Sequence, residues 1–511
     1  MMNINSNIAR IITVVIFSII SLKTNAQFLK VASVFGDHMV LQREKKVPVW
    51  GTSTPKEKIT VTFNGQSKST KSDANGDWIL YLDPLETSFK GKEMLIEGNE
   101  KLVIKDVLVG EVWICAGQSN MVMSYNSSAE VRGLVPLASN IRSFYVENKV
   151  ALKEQKNVPG AWKITHPKSA VAFSFAYFLN NLGDVPVGII QASWGSSSIE
   201  AWMPRAMTKE LPIFNTIMKE FDVDKERIAR IQQLINKPNW TNQENIFLRR
   251  NSNIIYNAMM HPLIPFACRG LVWYQGERNT RYIAGLPEVD EKNWFHRVSG
   301  MKDYDEVLKK WIQTYRKRWN DDDMHFMIVM LPGYGKGTQK KQNIDIENPT
   351  EESWAWMRES QLSAMELPNV SVVNTIDLGD VKNIHPTDKL PIGQRTALLA
   401  AKKTLKLKGE AVGPTLKKVE VKNGELVVHF NHAQGLKTIN GKAPSGFWIA
   451  NGTQKWVKAK AKIQDETVVL SSLEVKNPKY VRYAFAGKPT VNLVNNSELP
   501  AYPFRTDNWN K

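Results

Sequence analysis

The spacing of hydrophobic and polar positions changes three times along this chain, and each change predicts a different kind of structure. From residue 28 to about 105, short segments alternate: Val47-Pro48-Val49-Trp50, Ile59-Thr60-Val61-Thr62-Phe63, Trp78-Ile79-Leu80-Tyr81-Leu82. Asn64-Gly65 and Asn75-Gly76-Asp77 separate them. A period of two between such turns predicts antiparallel strands with one buried face, hence a small β-sandwich over residues 27–105. From 106 to 410 the texture differs. Continuous apolar runs (Val107 to Ala116, Val185 to Ala192, Phe266 to Tyr274, Phe326 to Leu331, Val370 to Ile376) alternate with helical spacing over Ala170 to Leu182, Lys219 to Ile235, Tyr304 to Trp319, Trp354 to Met365 and Pro391 to Leu405. A strand that is apolar at nearly every residue needs cover on both faces, so this region predicts a parallel α/β sheet between two layers of helices. From 411 to 511 the alternation returns, with hairpin signals at Asn423-Gly424 and Asn440-Gly441, and predicts a second β domain.

Residues 1–26 stand outside this pattern. Arg10 precedes the apolar run Ile11 to Leu22, and Thr24-Asn25-Ala26 offers a small-residue cleavage site. This is the layout of a secretory signal peptide cut after Ala26. Its apolar core is shorter than the ~20 residues that span a bilayer, so cleavage is expected rather than anchoring. The mature protein is therefore expected to be periplasmic or secreted, without membrane insertion. Export permits disulfides, but the only cysteines, Cys115 and Cys268, each sit in an apolar run. Two buried thiols are expected, with a bridge as the alternative.

The formal charge of +17 favours acidic partners such as anionic glycans. The lysines are scattered rather than set in one stripe, and no nucleic-acid-binding motif is present, so nucleic acid is not expected as a partner. No His/Cys spacing suits a metal, and no cofactor is expected. The sequence gives no oligomeric state.

Candidate chemistry lies at four strand ends. The first run stops at Gly117, and Gln118-Ser119-Asn120-Met121 follow, which puts a hydroxyl at the carboxyl edge of a sheet, where open α/β sheets bind ligands. The second stretch is Gln191-Ala192-Ser193-Trp194-Gly195-Ser196, a strand ending in a glycine-bearing turn whose amides can face an anion. In the third, Trp273-Tyr274-Gln275-Gly276-Glu277-Arg278-Asn279, side-chain amides surround a glycine and can hold a developing oxyanion. The fourth runs from Asp377 to Pro386 and carries His385 among several acids. Each stretch alone also reads as ordinary capping or loop structure; the set, in this order, supplies a nucleophile, oxyanion donors and a general base.

These four blocks, with His261-Pro262-Leu263-Ile264-Pro265 leading into the third, resemble the sialate O-acetylesterase family of the SGNH hydrolase superfamily. The resemblance covers nearly all of the mature chain. It implies a flavodoxin-like three-layer αβα SGNH hydrolase core flanked by β-sandwich, jelly-roll-like regions. It implies a serine esterase that removes O-acetyl groups from sugars, with O-acetylated sialic acid the preferred partner. In those roles Ser119 is the nucleophile, His385 the general base, and the amides of Ser119 and Gly195 with the Asn279 side chain the oxyanion hole. Gln118, Gln275, Glu277 and Arg358 are candidate substrate contacts, Arg358 for a substrate carboxylate. Two departures stand out. Ser196 replaces the family's second glycine, a strained choice if that position needs φ > 0. Lys382 sits three residues before His385, where the superfamily often has an Asp. The orienting acid is then Asp380, ranked ahead of Asp377, or a backbone carbonyl, or absent as in a Ser-His dyad. The rival readings are an acetylesterase on xylan-type plant polysaccharide and a non-catalytic glycan-binding protein with a degenerate esterase core.

Overall fold

The computed structural model describes residues 28–288, 297–335, 347–349 and 354–509; the expected leader at 1–26 lies outside them. One strand, Lys101–Gly117, organises the molecule. Its first six residues alternate in exposure, whereas every residue from Val107 to Gly117 is buried. The first part pairs antiparallel with Ser88–Glu97, which extends through Lys58–Phe63 to Gln66–Lys71. The second part pairs in parallel with Val187–Ser193 on one side and Gly270–Tyr274 on the other. The expected boundary near 105 thus falls inside a single strand, and the N-terminal β region shares a sheet with the core.

The parallel sheet runs Ile141–Tyr145, Val187–Ser193, Lys101–Gly117, Gly270–Tyr274, His325–Val329, Val370–Val373. Leaving aside the edge strand Ile141–Tyr145, the order by chain position is 2-1-3-4-5. Such a sheet reverses its winding beside its first strand, and ligands bind at the carboxyl ends there. Both faces are covered, as continuous apolar runs require. Trp113 lies in register with Gly270, so Trp113 and Trp273, an odd number of residues along, point to opposite faces. Trp113 meets Phe175 of the helix Ala170–Gly183 edge-on at 5.4 Å, whereas Trp273 meets Trp311 of the helix Tyr304–Trp319 at 4.5 Å. Trp113, Trp202 and Trp273 are fully buried in the core, Trp202 against Trp273 at 5.8 Å. The closing helix Leu390–Thr404 packs on Ala170–Gly183: a Cβ on Gly393 would lie 1.9 Å from the Ser174 hydroxyl.

The helical stretch expected over 219–235 is two helices, Pro212–Val223 and Lys225–Ile235. Asp224 separates them because its carboxylate caps the second, accepting from the Arg227 amide at 2.9 Å. From Thr415 onward the described chain is β, in two four-stranded sheets and a two-stranded ribbon. Cys115 and Cys268 are free and buried, and burial pushes the Cys268 thiol up to about 12. Among the described residues no helix is long and apolar enough to cross a membrane.

Glu111, in the middle of the long strand and fully buried, accepts from Arg43 Nε at 2.7 Å and from Arg269 Nε and Nη2 at 3.0 and 2.8 Å. Arg43 leaves the N-terminal region and Arg269 enters the third core strand, so this cluster clamps the two regions at the amino end of the sheet. Removing one partner of a buried carboxylate costs about 3 kcal/mol or more. Arg269→Met should therefore lower the apparent melting temperature by several degrees. A change within one degree in a thermal scan would show that the clamp contributes nothing.

Candidate active site

The first core strand ends at Gly117, whose φ of +139° and surroundings exclude a side chain: a Cβ would sit 2.2 Å from the Tyr274 carbonyl oxygen. The Gln118 amide then donates to that carbonyl at 3.0 Å, and the chain turns directly into the short helix Ser119–Val122. Ser119 thus stands at the carboxyl edge of the sheet beside the winding reversal, only partly buried. His385 comes from the loop after the last core strand. Its Nε2 lies 2.8 Å from Ser119 Oγ across 266 residues of chain. Burial, and next the positive charge of Lys389, lower the His385 pKa from its usual 6.5, which keeps the imidazole neutral and basic near pH 7.

The imidazole is held through its backbone. Asn383 clasps residue 385 twice, accepting from its amide at 2.9 Å and donating to its carbonyl at 2.8 Å. Asp380 has a different task from the one expected: Oδ1 accepts from the Lys382 and Asn383 amides, each at 2.7 Å, and no hydrogen bond joins it to the imidazole. Asp377 pairs with both terminal nitrogens of Arg395 at 2.7 Å. Among the described residues no carboxylate bonds His385, so the geometry is that of a dyad on a braced loop.

Beneath the dyad lies Asn120, buried. Its Nδ2 donates to Glu277 Oε1 at 2.5 Å and to the Ile384 carbonyl at 3.0 Å, and its Oδ1 accepts from Lys389 Nζ at 2.7 Å. One side chain thereby joins the residue after Ser119 to the residue before His385. Glu277 is no surface contact for substrate: burial raises its pKa to about 6, and its second oxygen has no partner. Burial likewise pulls Lys389 down to about 8. Neither Asn120 nor Lys389 is among the residues expected from sequence, although Asn120 directly follows the serine and Lys389 sits four residues after His385.

The amides of Ser119 and Gly195 have no acceptor among the described residues, and Gly195 packs against Ser119: a Cβ there would lie 3.5 Å from that of Ser119. Ser196 follows at φ +59°, the left-handed conformation that the missing glycine would favour. For a serine this costs roughly 1–2 kcal/mol. Asn279 does not supply the expected third donor. Its Nδ2 is spent on the Glu200 carboxylate and on Ser299 at 3.2–3.3 Å, while Oδ1 accepts from the Ile199 amide and Gln275 Nε2. Gln275 is equally committed, donating to Gln118, Ser197 and Asn279 and accepting from the Tyr304 hydroxyl at 2.7 Å. Both build the floor rather than touch substrate. Gln118 differs: Oε1 accepts from Gln275 Nε2 and the Arg278 amide, each at 3.2 Å, which turns Nε2 outward with no acceptor among the described residues.

Arg358 is far from any substrate role. It is fully buried and donates to four carbonyls: Leu331 at 2.8 Å, Pro332 at 3.2 Å, Ala486 at 2.6 Å and Gly487 at 2.7 Å. It fastens the C-terminal β region to the end of the fourth core strand. Two stretches long enough to rim an active site, 281–300 and 333–351, lie partly outside the described residues. A cavity of about 890 Å³ lies between the N-terminal β region and residues 261–265. Neither Ser119 nor His385 lines it, and it holds no paired nucleophile and base, so it is not taken as the reaction site. Among the described residues no group of three or more His, Cys, Asp or Glu side chains is arranged for a metal.

Residues 109–400 match the family model for a carbohydrate esterase, sialic acid-specific acetylesterase. The chain is 27% identical to the sialate O-acetylesterase of Mus musculus over 93% of both sequences. It is 26% identical to that of Homo sapiens over 72% of this chain and 69% of the human one. In structure it is similar to a carbohydrate acetylesterase from Xanthomonas citri, with a TM-score of 0.76 and 29% identity, over 94% of this chain and all of that one.

The seat of Arg358 gives a direct test. Arg358→Met strands four buried carbonyls and should cost about 2–4 kcal/mol of stability in denaturant unfolding. The KM of the folded fraction should stay within twofold for acidic and neutral acetyl esters alike. A KM that rises only for the acidic ester would return Arg358 to substrate binding.

Proposed function

Because the chain belongs to the sialic acid-specific acetylesterase family of carbohydrate esterases, we propose that it hydrolyses O-acetyl esters on sugars, O-acetylated sialic acid foremost, through an acetyl-enzyme on Ser119. The observation that carries the proposal is the 2.8 Å approach of His385 Nε2 to Ser119 Oγ at the carboxyl edge of the sheet. A serine hydroxyl is a weak nucleophile until a base within hydrogen-bond reach takes its proton. His385 is such a base, neutral near pH 7 because burial and Lys389 disfavour its charged form.

In this reading Ser119 attacks the acetyl carbonyl while His385 accepts the hydroxyl proton. The tetrahedral oxygen meets the amides of Ser119 and Gly195, with Gln118 Nε2 as a third donor in place of Asn279; each such donor is worth ~3 kcal/mol of barrier. His385 then protonates the departing sugar oxygen. Water, deprotonated by the same imidazole, releases acetate. Asn120 holds serine and histidine loops in register, the task that an orienting carboxylate shares in a triad.

The wider frame of the proposal is an SGNH-type αβα core, with Ser119, Gly195, Asn279 and His385 as its four signature positions. It is supported by the 2-1-3-4-5 strand order and by helices on both faces. A leader over 1–26 would take the enzyme out of the cytoplasm to its glycan substrates.

Three outcomes follow. Ser119→Ala should lower hydrolysis of a chromogenic acetate ester by roughly 10⁴-fold or more; retained turnover would remove the serine mechanism. Asp380→Asn should stay within a few-fold of wild type, because an amide oxygen can still accept from the two loop amides. A loss near 10⁴-fold would make Asp380 the orienting acid after all. The acidic limb of kcat/KM should lie below the ordinary histidine range, since only the neutral imidazole acts. Lys389→Gln removes a repelling charge, raises the His385 pKa and should move that limb to higher pH; an unmoved limb assigns it to another group.

A further inference from the structure

Three arginine side chains near the candidate active site have no partner. Arg249 ends the helix Asn242–Arg249, Arg250 caps it, and Arg281 closes the short turn Asn279–Arg281. Among the described residues none of the three guanidinium groups makes a hydrogen bond or an ion pair, and Nε of Arg249 and of Arg250 is buried without an acceptor. The charges are also mutually unfavourable. Burial lowers Arg250, and the charges of Arg281 and Arg249 lower it further. Arg278 is lowered first by burial and then by Arg250 and Arg281. Glu200, the carboxylate whose charge acts on Arg278, is already occupied by the Ser299 amide and hydroxyl and by Asn279. A helix carboxyl end attracts cations, but for only about 0.3–1 kcal/mol, and it leaves their donors unfilled.

The position of the cluster suits a substrate. The Arg278 amide donates to Gln118, the residue before Ser119. The helix that carries Arg249 and Arg250 is tied to the Gly195 turn, because Asn245 Oδ1 accepts from Trp194 Nε1 at 3.2 Å and Trp194 stacks on Trp240 at 5.7 Å. Two half-buried guanidinium groups, Arg249 and Arg250, and the exposed Arg281, without counter-ions among the described residues and fixed on two elements tied to the Ser119 turn, form a receptor for a planar anion.

We propose that Arg249, Arg250 and Arg281 bind the carboxylate of an acidic sugar while its acetyl group lies at Ser119. This rests on the esterase reading above and deepens it: the enzyme selects its substrates by their acid group, and not by the acetyl ester alone.

The test is a preference measured within each protein: kcat/KM for an O-acetylated sialic acid divided by kcat/KM for the methyl ester of that same sugar. The fraction of folded enzyme cancels from this ratio. Wild type should favour the free acid by tenfold or more, mostly through KM, and the preference should fade at high ionic strength. In R249Q/R250Q the ratio should fall close to 1, whereas R250K should keep most of it. A wild-type ratio near 1 both for this sugar and for an O-acetylated hexuronic acid, or an unchanged ratio in R249Q/R250Q, overturns the proposal. The same ratio for an O-acetylated hexuronic acid separates the two readings: preference there but not with sialic acid keeps the arginine site and removes sialic acid as the main substrate. Loss of turnover on every acetate ester in wild type would instead remove the esterase reading itself.

Discussion

The strand Lys101–Gly117 must be covered on both faces, and most of the molecule follows from that requirement. Eleven consecutive buried residues leave it no solvent side, so the helix Ala170–Gly183 covers one face and Tyr304–Trp319 the other. Parallel neighbours on both edges fix its register to the residue. Because side chains alternate faces, a slip of one position would turn Trp113 and every neighbour to the wrong layer. The strand ends where Gly117 has no room for a Cβ, and the serine is presented two residues later. The position of Ser119 is therefore inherited from a fully buried core strand.

The histidine arrives on a loop, and a loop must be braced to hold a hydrogen bond. Asn383 and Asp380 stiffen it from within, while Asn120 ties it from below to the residue after the serine. The C-terminal β region adds a third support. Arg358 holds Ala486 and Gly487 against Leu331 and Pro332, and Lys488 donates to the Leu378 carbonyl at 3.0 Å, within the histidine loop's approach. The all-β segment after residue 411 is thus a structural part of the site, although it contributes none of the dyad. The imidazole of His385, to which no carboxylate among the described residues bonds, is fixed through its backbone, and its proton affinity is lowered by burial and by Lys389.

Charge around the site is arranged in two layers. Beneath the dyad, Glu277, Asn120 and Lys389 form a buried network in which burial raises the acid and lowers the amine. Such a network is stable only when its members are jointly satisfied, which makes it a fixed element of the floor. Arg249, Arg250 and Arg281, on the two elements tied to Gln118 and to Trp194, have no counter-ion among the described residues. The first layer holds geometry; the second awaits an anion.

Local pattern was enough for the sequence to determine the elements and the chemistry they carry. Continuous apolar runs can only be strands covered on both sides, and the turn residues after them can only be where such strands stop. Ser119, Gly195 and His385 were legible because each follows such a stop. Ser196 was legible only as a departure from the family's second glycine; the fold decided that the position takes φ +59°. The partners of the long polar side chains were not legible. Asn279, Gln275, Glu277 and Arg358 carry donors and acceptors that suit a substrate as well as a scaffold. Only the fold decided that Glu200, Tyr304, Asn120 and four carbonyls take them first. Asp380 and Arg249 show the same limit in opposite directions: the acid near the histidine in sequence is consumed by its own loop amides, while Arg249 and Arg250 and, remote from them in sequence, Arg281 are brought close enough for their charges to act on one another. Periodicity along a chain fixes which way a side chain faces its own element, whereas a hydrogen bond is decided by what lies within three ångströms after folding.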